Sequence, residues 1–534
     1  MVLRSHSIKF LSMAVLGISV FAVSVNAKKQ SVSTIKTVEL PKFDEETAFK
    51  DFLSDADFEK LKSKAQERAK RSPASDEVDP NNPAYAGFMR LRDRILKIET
   101  PLQIHELLND LDRKERWTTG HAEELSTSEK YLAAKLIPMR SFRGIASRLK
   151  PVYKFGPSTN VEPKILHSFI VTALKQMAVS GDILANTAEW KAMFRYLTEP
   201  YSSDPALHIG NENELQVFVS KELLPSLNTA MGRITKLSFA TQVGIFDNQL
   251  FYGDASFQDG ISRYVTVDEA ERLARLSQLH FNISHLYAQN AFTWTGSIKA
   301  SEQLGKLYGI DGFFGSEITG ASSFERTKII RSFANLGRMR TDGTEAQNNL
   351  TFAWSNFKQG ARLLILVQKE LDKKAPARLE QLLRNMDTPR TSYFEPGLTA
   401  FNHKATKMAV SDFEALINGP TYITSGVTGK KVKVDLAAAY DAKRLPETLQ
   451  DFLPDHTNTN PADKKIVKLP DSNGRMNDVT YRDYWAGRPT QWKISTYQKI
   501  FPEVTNANLL ETRRTLAMSH GAAFMASPMA LFTE

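Results

Sequence analysis

Between Lys130 and Val161 the chain carries seven cations and no acid: Lys130, Lys135, Arg140, Arg143, Arg148, Lys150 and Lys154. Tyr131, Phe142, Tyr153 and Phe155 are interleaved with them. A cluster of this kind attracts phosphate-bearing surfaces by its summed field and by paired arginine hydrogen bonds. Arg140, Arg143, Arg148, Lys150 and Lys154 are therefore the candidate anion-binding residues. The competing expectation is internal pairing. Glu106, Asp110, Asp112, Glu115, Glu123 and Glu124 lie just upstream, and most surface charges pair or are simply solvated. A second basic run, Arg326, Lys328, Arg331, Arg338 and Arg340, is explained by the solvated side of a helix.

Other chemistry is thinly marked. Phe313-Phe314-Gly315-Ser316-Glu317 sets a carboxylate among aromatics and glycines. Burial there would raise the pKa of Glu317 and suit it to a general acid acting on a glycan. No second carboxylate is assigned by spacing, and a solvent-exposed loop explains the residue equally. Asp471 to Asp478 places oxygen side chains at alternating positions but lacks the sixth-position glycine and closing glutamate of an EF-hand, so an Asx-rich turn accounts for it. Asp455-His456 is a loop pair of a kind that chance supplies. His280 and His285 are five residues apart, about 140° around a helix, so they do not share a metal, and His280 is expected to be a hydrogen-bonded core histidine. No metal site and no cofactor is expected. The sequence has no G-x-S-x-G elbow, Walker loop, G-x-G-x-x-G or H-E-x-x-H. With no cysteine it has no disulfide, thiolate metal site, c-type haem attachment, lipid-bearing cysteine or cysteine nucleophile.

The first residues say where such a protein works. Arg4 and Lys9 precede an acid-free apolar run from Phe10 to Val25, and Val25-Asn26-Ala27 puts small residues at −3 and −1. That is the layout of a secretory signal peptide cut between Ala27 and Lys28, with a retained anchor as the alternative. Loss of Arg4 and Lys9 would lower the net charge of +9 to +7. No later segment reaches the roughly 18 apolar residues of a membrane span. Leu363 to Val367 comes nearest and is bounded by Arg362 and Lys369. A composition of 42% hydrophobic and 24% charged residues argues for a packed core rather than disorder. The mature chain is expected to be soluble, and either periplasmic or secreted.

Helices must position these residues. No proline occurs from Ser226 to Ala375, whereas Pro446, Pro454, Pro461, Pro470, Pro489 and Pro502 crowd the following region. Leu215, Phe218, Val219, Leu223, Leu227, Met231 and Ile234 recur at helical spacing, with Pro225 as a kink or boundary. Thr266-Val267-Asp268-Glu269 and Ser322-Ser323-Phe324-Glu325 read as capping boxes, and Gly337 as a terminator of the helix that the second one opens. An arm from about Asp44 to Arg71 begins acidic and ends basic, as a helix dipole favours. Thr421 to Thr424 and Lys430 to Val434 read as one β-hairpin. The expected class is mainly α: a leader over residues 1–27, a helical arm and linker over 28–83, a helical body over 84–443, and a proline-rich, largely irregular region over 444–534 that ends in a helix.

These observations point to an exported binding or scaffold component at a bacterial-type cell envelope, whose partner is an anionic envelope polymer or lipid headgroups. The rival expectation is a secreted hydrolase of an envelope glycan with Glu317 as its acid.

Overall fold

The protein is mainly α-helical, with small two-stranded sheets. The computed structural model describes residues 49–68, 83–148, 192, 195–197, 199, 209–237, 243–246, 264–267, 269–297, 299–300, 323–340, 343–371, 414–424, 431–453, 466–470, 476–480, 492–509 and 512. Two compact units emerge. The first takes in Glu39–Leu279 and the second His280–Gln368 and Glu380–Glu534.

In the first unit the helices are α1 (Asp55–Arg68), α2 (Pro83–Leu96), α3 (Pro101–Asp112), α4 (Thr127–Leu136), α5 (Ile145–Arg148), α6 (Glu212–Phe218) and α7 (Leu224–Leu237). Two of them start with reciprocal capping boxes. Gln103 N donates to Thr100 Oγ1 at 3.3 Å while Thr100 N donates to Gln103 Oε1 at 3.0 Å. Ser126 and Glu129 repeat the exchange at 3.3 and 2.9 Å. Each box satisfies two amide groups that a helix end otherwise leaves without acceptors. Gly87 is required where α2 meets the second box, because a Cβ there would lie 2.0 Å from Ser126 Oγ.

The apolar periodicity over 215–234 becomes α6, one π-helical turn at Val219–Leu223, and α7. All seven of its apolar residues are buried. Pro225 supplies no amide hydrogen, so the ladder cannot run through it unchanged, and the wider turn just before it absorbs the mismatch. The Glu222 carbonyl in that turn accepts from Ser141 Oγ at 3.1 Å. Strands β1 (Val243–Phe246) and β2 (Tyr264–Val267) form an antiparallel pair with Thr266 opposite Gly244. Thr266 is thus a strand residue, and helix α8 (Glu269–Asn290) begins three residues later. Thr266, expected to open a capping box, lies instead in the β-branched and aromatic run Tyr264-Val265-Thr266-Val267, which pairs as strand.

The second unit packs the later part of α8 on α10 (Gly343–Leu371), with α9 (Ser323–Arg331) between them in sequence. Phe281 meets Phe357 at 5.3 Å between ring centroids, and Tyr287 meets Phe352 edge-on at 4.5 Å. The helix α9 begins directly after Ser322, as expected, but ends at Arg331. Gly337 lies six residues further on, at φ 71°, where it serves a backbone lacing rather than a helix end. There Gly337 N donates to Thr293 O, Leu449 N to Gly337 O, and Met339 N to Glu447 O at 2.7–3.0 Å. The expected hairpin is present as β3 (Thr421–Thr424) and β4 (Lys431–Val434), antiparallel and in register from Thr421–Val434 to Thr424–Lys431. The proline-rich region adds a further hairpin, β5 (Ile466–Pro470) with β6 (Met476–Thr480), and the short helix α11 (Ile494–Gln498). Pro470 closes its strand at the end, where its missing donor costs least. Met476 to Asp478, the end of the calcium-like stretch, are therefore paired strand rather than ligand loop. Among the described residues no helix is long and apolar enough to cross a membrane.

Candidate functional site

Helix α3 buries Ile104, Leu107, Leu108 and Leu111. The same periodicity leaves His105, Asn109, Asp110 and Asp112 partly exposed and able to face side chains from other elements. Asp110 takes three arginines, Arg94 at 2.9 Å and Arg113 and Arg116 at 2.7 Å each. Desolvation opposes its ionisation, but the hydrogen bonds from Arg116 and Arg94 outweigh that and hold its carboxyl below the usual range. Arg113 also reaches Glu123 at 2.5 Å, and Trp117 Nε1 donates to Leu111 O at 2.7 Å. The indole is thereby fixed against the end of α3.

Asp112, at the last turn of α3, is shared by two cations from distant parts of the chain. Arg140 in the 3₁₀ turn Ile137–Phe142 donates to its Oδ2, and Arg233 in α7 approaches its Oδ1 at 2.6 Å. The Arg233 guanidinium also lies over the Trp117 ring, 4.1 Å from the centroid. Burial weakens its hold on the proton, with the Asp112 charge acting the other way and Arg140 adding to the loss. His105 stands within the same field. Its pKa is lowered first by desolvation and then by Arg143 and Arg140, against an opposing pull from Glu106. Arg140 and Arg233 thus share one carboxylate, and His105 lies within the field of Arg140 and Arg143.

Of the residues singled out by sequence, Arg140 and Arg143 belong to this cluster. Arg148 does something else. It is 8% exposed and makes two hydrogen bonds to Glu222, at 2.8 and 2.5 Å, with its guanidinium 4.8 Å from the centre of the Phe218 ring. That pair ties α5 to the π-helical turn. Lys130 is ion-paired with Glu124, and Lys135 lies 5.7 Å from the centroid of the Tyr131 ring. Lys150, Lys154, Glu317 and the Asp455-His456 pair lie outside the described residues. Comparison with known protein families, with curated proteins and with solved structures finds no match to this chain.

Arg233, His105 and Trp117 complete the cluster, and nothing in the linear sequence joins them to Arg140. Arg233 sits in an otherwise regular amphipathic helix and is 93 positions further on. Only the packing of α7 on the Ile137–Phe142 turn brings it there.

A second polar cluster is buried in the second unit. His280 Nδ1 meets Asn356 Oδ1 at 2.8 Å, and Asn356 Nδ2 donates to Phe352 O at 3.0 Å. The amide orientation fixes the tautomer, with the imidazole proton on Nδ1. Complete burial lowers the His280 pKa to about 4 although the Asn356 bond favours the charged form. Ser284, one turn along, is the polar neighbour of the Tyr440 hydroxyl, whose ionisation burial strongly suppresses. Trp354 and Phe357 stack on each other at 5.4 Å, and each lies within 6.0 Å of the Tyr440 ring. Near neutral pH this cluster is uncharged and encased in aromatics, and it supports packing. No group of three or more metal-ligating side chains occurs among the described residues.

Proposed function

We propose that this chain is an exported, mainly helical binding or scaffold component of the cell envelope that holds an anionic polymer or lipid headgroups. The observation that supports the reading is the sharing of Asp112 by Arg140 and Arg233, with His105 in the field of Arg140 and Arg143. Two guanidinium groups against one shared carboxylate attract polyanions, and the arginine fork suits phosphate oxygens. The leader supports export.

Two measurements test it. N-terminal sequencing of exported protein is expected to begin at Lys28, and a chain still starting at Met1 in the membrane fraction would contradict it. The mature protein should bind phosphatidylglycerol vesicles and heparin at low salt, and progressively less as ionic strength rises. Each basic side chain near an anionic surface contributes about 1 kcal/mol, so Arg140→Gln with Arg143→Gln should weaken vesicle binding about 30-fold. An unaltered affinity in that double variant, with an unchanged circular dichroism spectrum, would refute the role of the cluster.

A further inference from the structure

The turn that leads into β3 carries a chemistry that needs no second molecule but water. A helix ends at Asn418, and Gly419 and Pro420 link it to Thr421, the first residue of β3. In an asparagine followed by glycine, the next main-chain nitrogen reaches the side-chain carbonyl carbon with least hindrance, because glycine has no Cβ to shield its amide. The surroundings of this pair leave it open. Asn418 is exposed. It closes the helical ladder, so the Gly419 amide is not one of the ladder's donors, and that amide donates to no backbone carbonyl among the described residues. Gly419 has φ 140°, and a Cβ built on it would meet nothing within 4 Å. One contact restrains the pair: Asn418 Nδ2 donates to Glu414 O at 2.7 Å. That bond lies at the surface, where water replaces it, so it should slow a reaction of the amide by no more than about tenfold.

We propose that Asn418 is a site of covalent self-modification, closing on the Gly419 amide to a five-membered succinimide. The Gly419 nitrogen gives its proton to solvent base and bonds to Asn418 Cγ. The Cγ–Nδ2 bond breaks, and ammonia leaves with a proton from water. Water then adds to one of the two ring carbonyls, and the bond from that carbonyl to the Gly419 nitrogen breaks. Opening at Cγ leaves aspartate. Opening at the main-chain carbonyl leaves isoaspartate, with the side-chain methylene now part of the main chain. Nothing is oxidised or reduced, and the net exchange is one water for one ammonia. Both products change the structure locally. An ionised carboxylate has no hydrogen to donate to Glu414 O, so the helix loses its end contact. Isoaspartate also lengthens the chain just ahead of Thr421, whose pairing with Val434 sets one end of the hairpin register. The proposal stands apart from the anion-binding reading, because Asn418 and Gly419 belong to the second unit and Arg140 and Arg233 to the first.

Warm incubation of the folded protein in heavy-oxygen water, from neutral to mildly alkaline pH, followed by tryptic mapping, reads the change directly. The peptide spanning residues 408–430 holds Asn418 as its only asparagine. It should lose ammonia, take up one heavy oxygen and separate into aspartate and isoaspartate forms. The rate should rise with pH, because the first step removes the amide proton. Asn418→Gln should abolish the change, since its longer side chain must close a larger ring. Gly419→Ala should slow it severalfold by shielding the nitrogen, and Asn418→Gln serves alone if the strained alanine rearranges the turn. The chain's other pair of this type, Asn473-Gly474, lies outside the described residues and falls in a different peptide, so the two are read separately. A peptide that stays unlabelled in the folded protein while the urea-unfolded chain converts would overturn the proposal, because the fold would then protect the pair. Labelling at equal rates in the parent and in Asn418→Gln would overturn it as well.

Discussion

Acidifying the protein from pH 7 to pH 4 is expected to cost it about 3 kcal/mol of stability through His280 alone. In the folded chain this imidazole is completely buried, and its pKa falls to about 4 from an ordinary value of 6.5. The direction follows from proton counting. Between pH 6.5 and about 4 the unfolded chain takes up a proton at His280 and the folded chain does not, so stability falls as the pH is lowered through that window. Above it both states are neutral and below it both are protonated, so His280 contributes no slope at either end. A gap of roughly two and a half units corresponds to about 3 kcal/mol. Urea denaturation at a series of pH values measures the slope. His280→Gln is uncharged throughout and should lose part of the parent's stability at pH 7 while showing a flatter decline below pH 6.5. An equally steep decline in the variant would move the acid sensitivity away from His280.

The helical elements were legible where a long periodic stripe had no competitor. Leu215, Leu223, Leu227, Met231 and Ile234 recur over many turns, so one face is specified repeatedly and an error at one position does not shift the rest. The hairpin at Thr421 to Val434 was legible for a similar reason, with β-branched residues on both sides of a longer loop. Thr266 and Gly337 show the limit. Four residues of capping signature also fit a strand, and the pairing of Tyr264 to Val267 with Phe246 to Val243 decided it. A glycine fits a helix end or any other position at positive φ, and Gly337 took the backbone lacing with Thr293 and Leu449.

The candidate site was half legible. The acid-free run around Arg140 and Arg143 stands out because local composition is itself the signal. Arg148 belongs to the same run, yet its partner, Glu222, is set by the π-helical turn before Pro225, and charge counting does not reveal a turn. Arg233 and Trp117 carry no compositional mark at all. Each is one polar or aromatic residue in an ordinary setting, and their relation to Asp112 exists only once α3 and α7 have been placed. Pairing with the upstream acids, the alternative expectation for the basic run, holds for Lys130 with Glu124 and for Arg140 with Asp112. Asp112 is itself divided between two arginines.

Gly296→Ala should be among the most damaging small substitutions in the second unit. Gly296 has φ 90°, which costs an alanine about 1–2 kcal/mol in backbone energy. Its added Cβ would also lie 2.9 Å from Phe333 Cδ1 and 3.0 Å from Phe333 Cβ. A Cβ–Cβ approach is not relieved by turning the ring, so the backbone of one segment must move. Neither segment is loose. Thr293 N donates to Arg338 O at 2.8 Å, Ala300 N to Gly296 O at 2.8 Å, and Gln450 Nε2 to both Phe333 O and Leu336 O at 2.8 Å. Overpacking typically adds about 1–3 kcal/mol, which puts the total near 2–5 kcal/mol. Gly120 supplies the control. Its φ is 79°, but a Cβ there meets nothing within 4 Å, so Gly120→Ala carries the backbone term alone, about 1 kcal/mol. Asparagine separates the two causes, because it tolerates the left-handed region better than alanine does but is larger. Gly120→Asn should therefore be milder than Gly120→Ala, while Gly296→Asn should be no better than Gly296→Ala. Thermal and urea denaturation of the four variants decides the matter. A Gly296→Ala protein within 0.5 kcal/mol of the parent would mean that Phe333 gives way freely and that the lacing around it is not rigid.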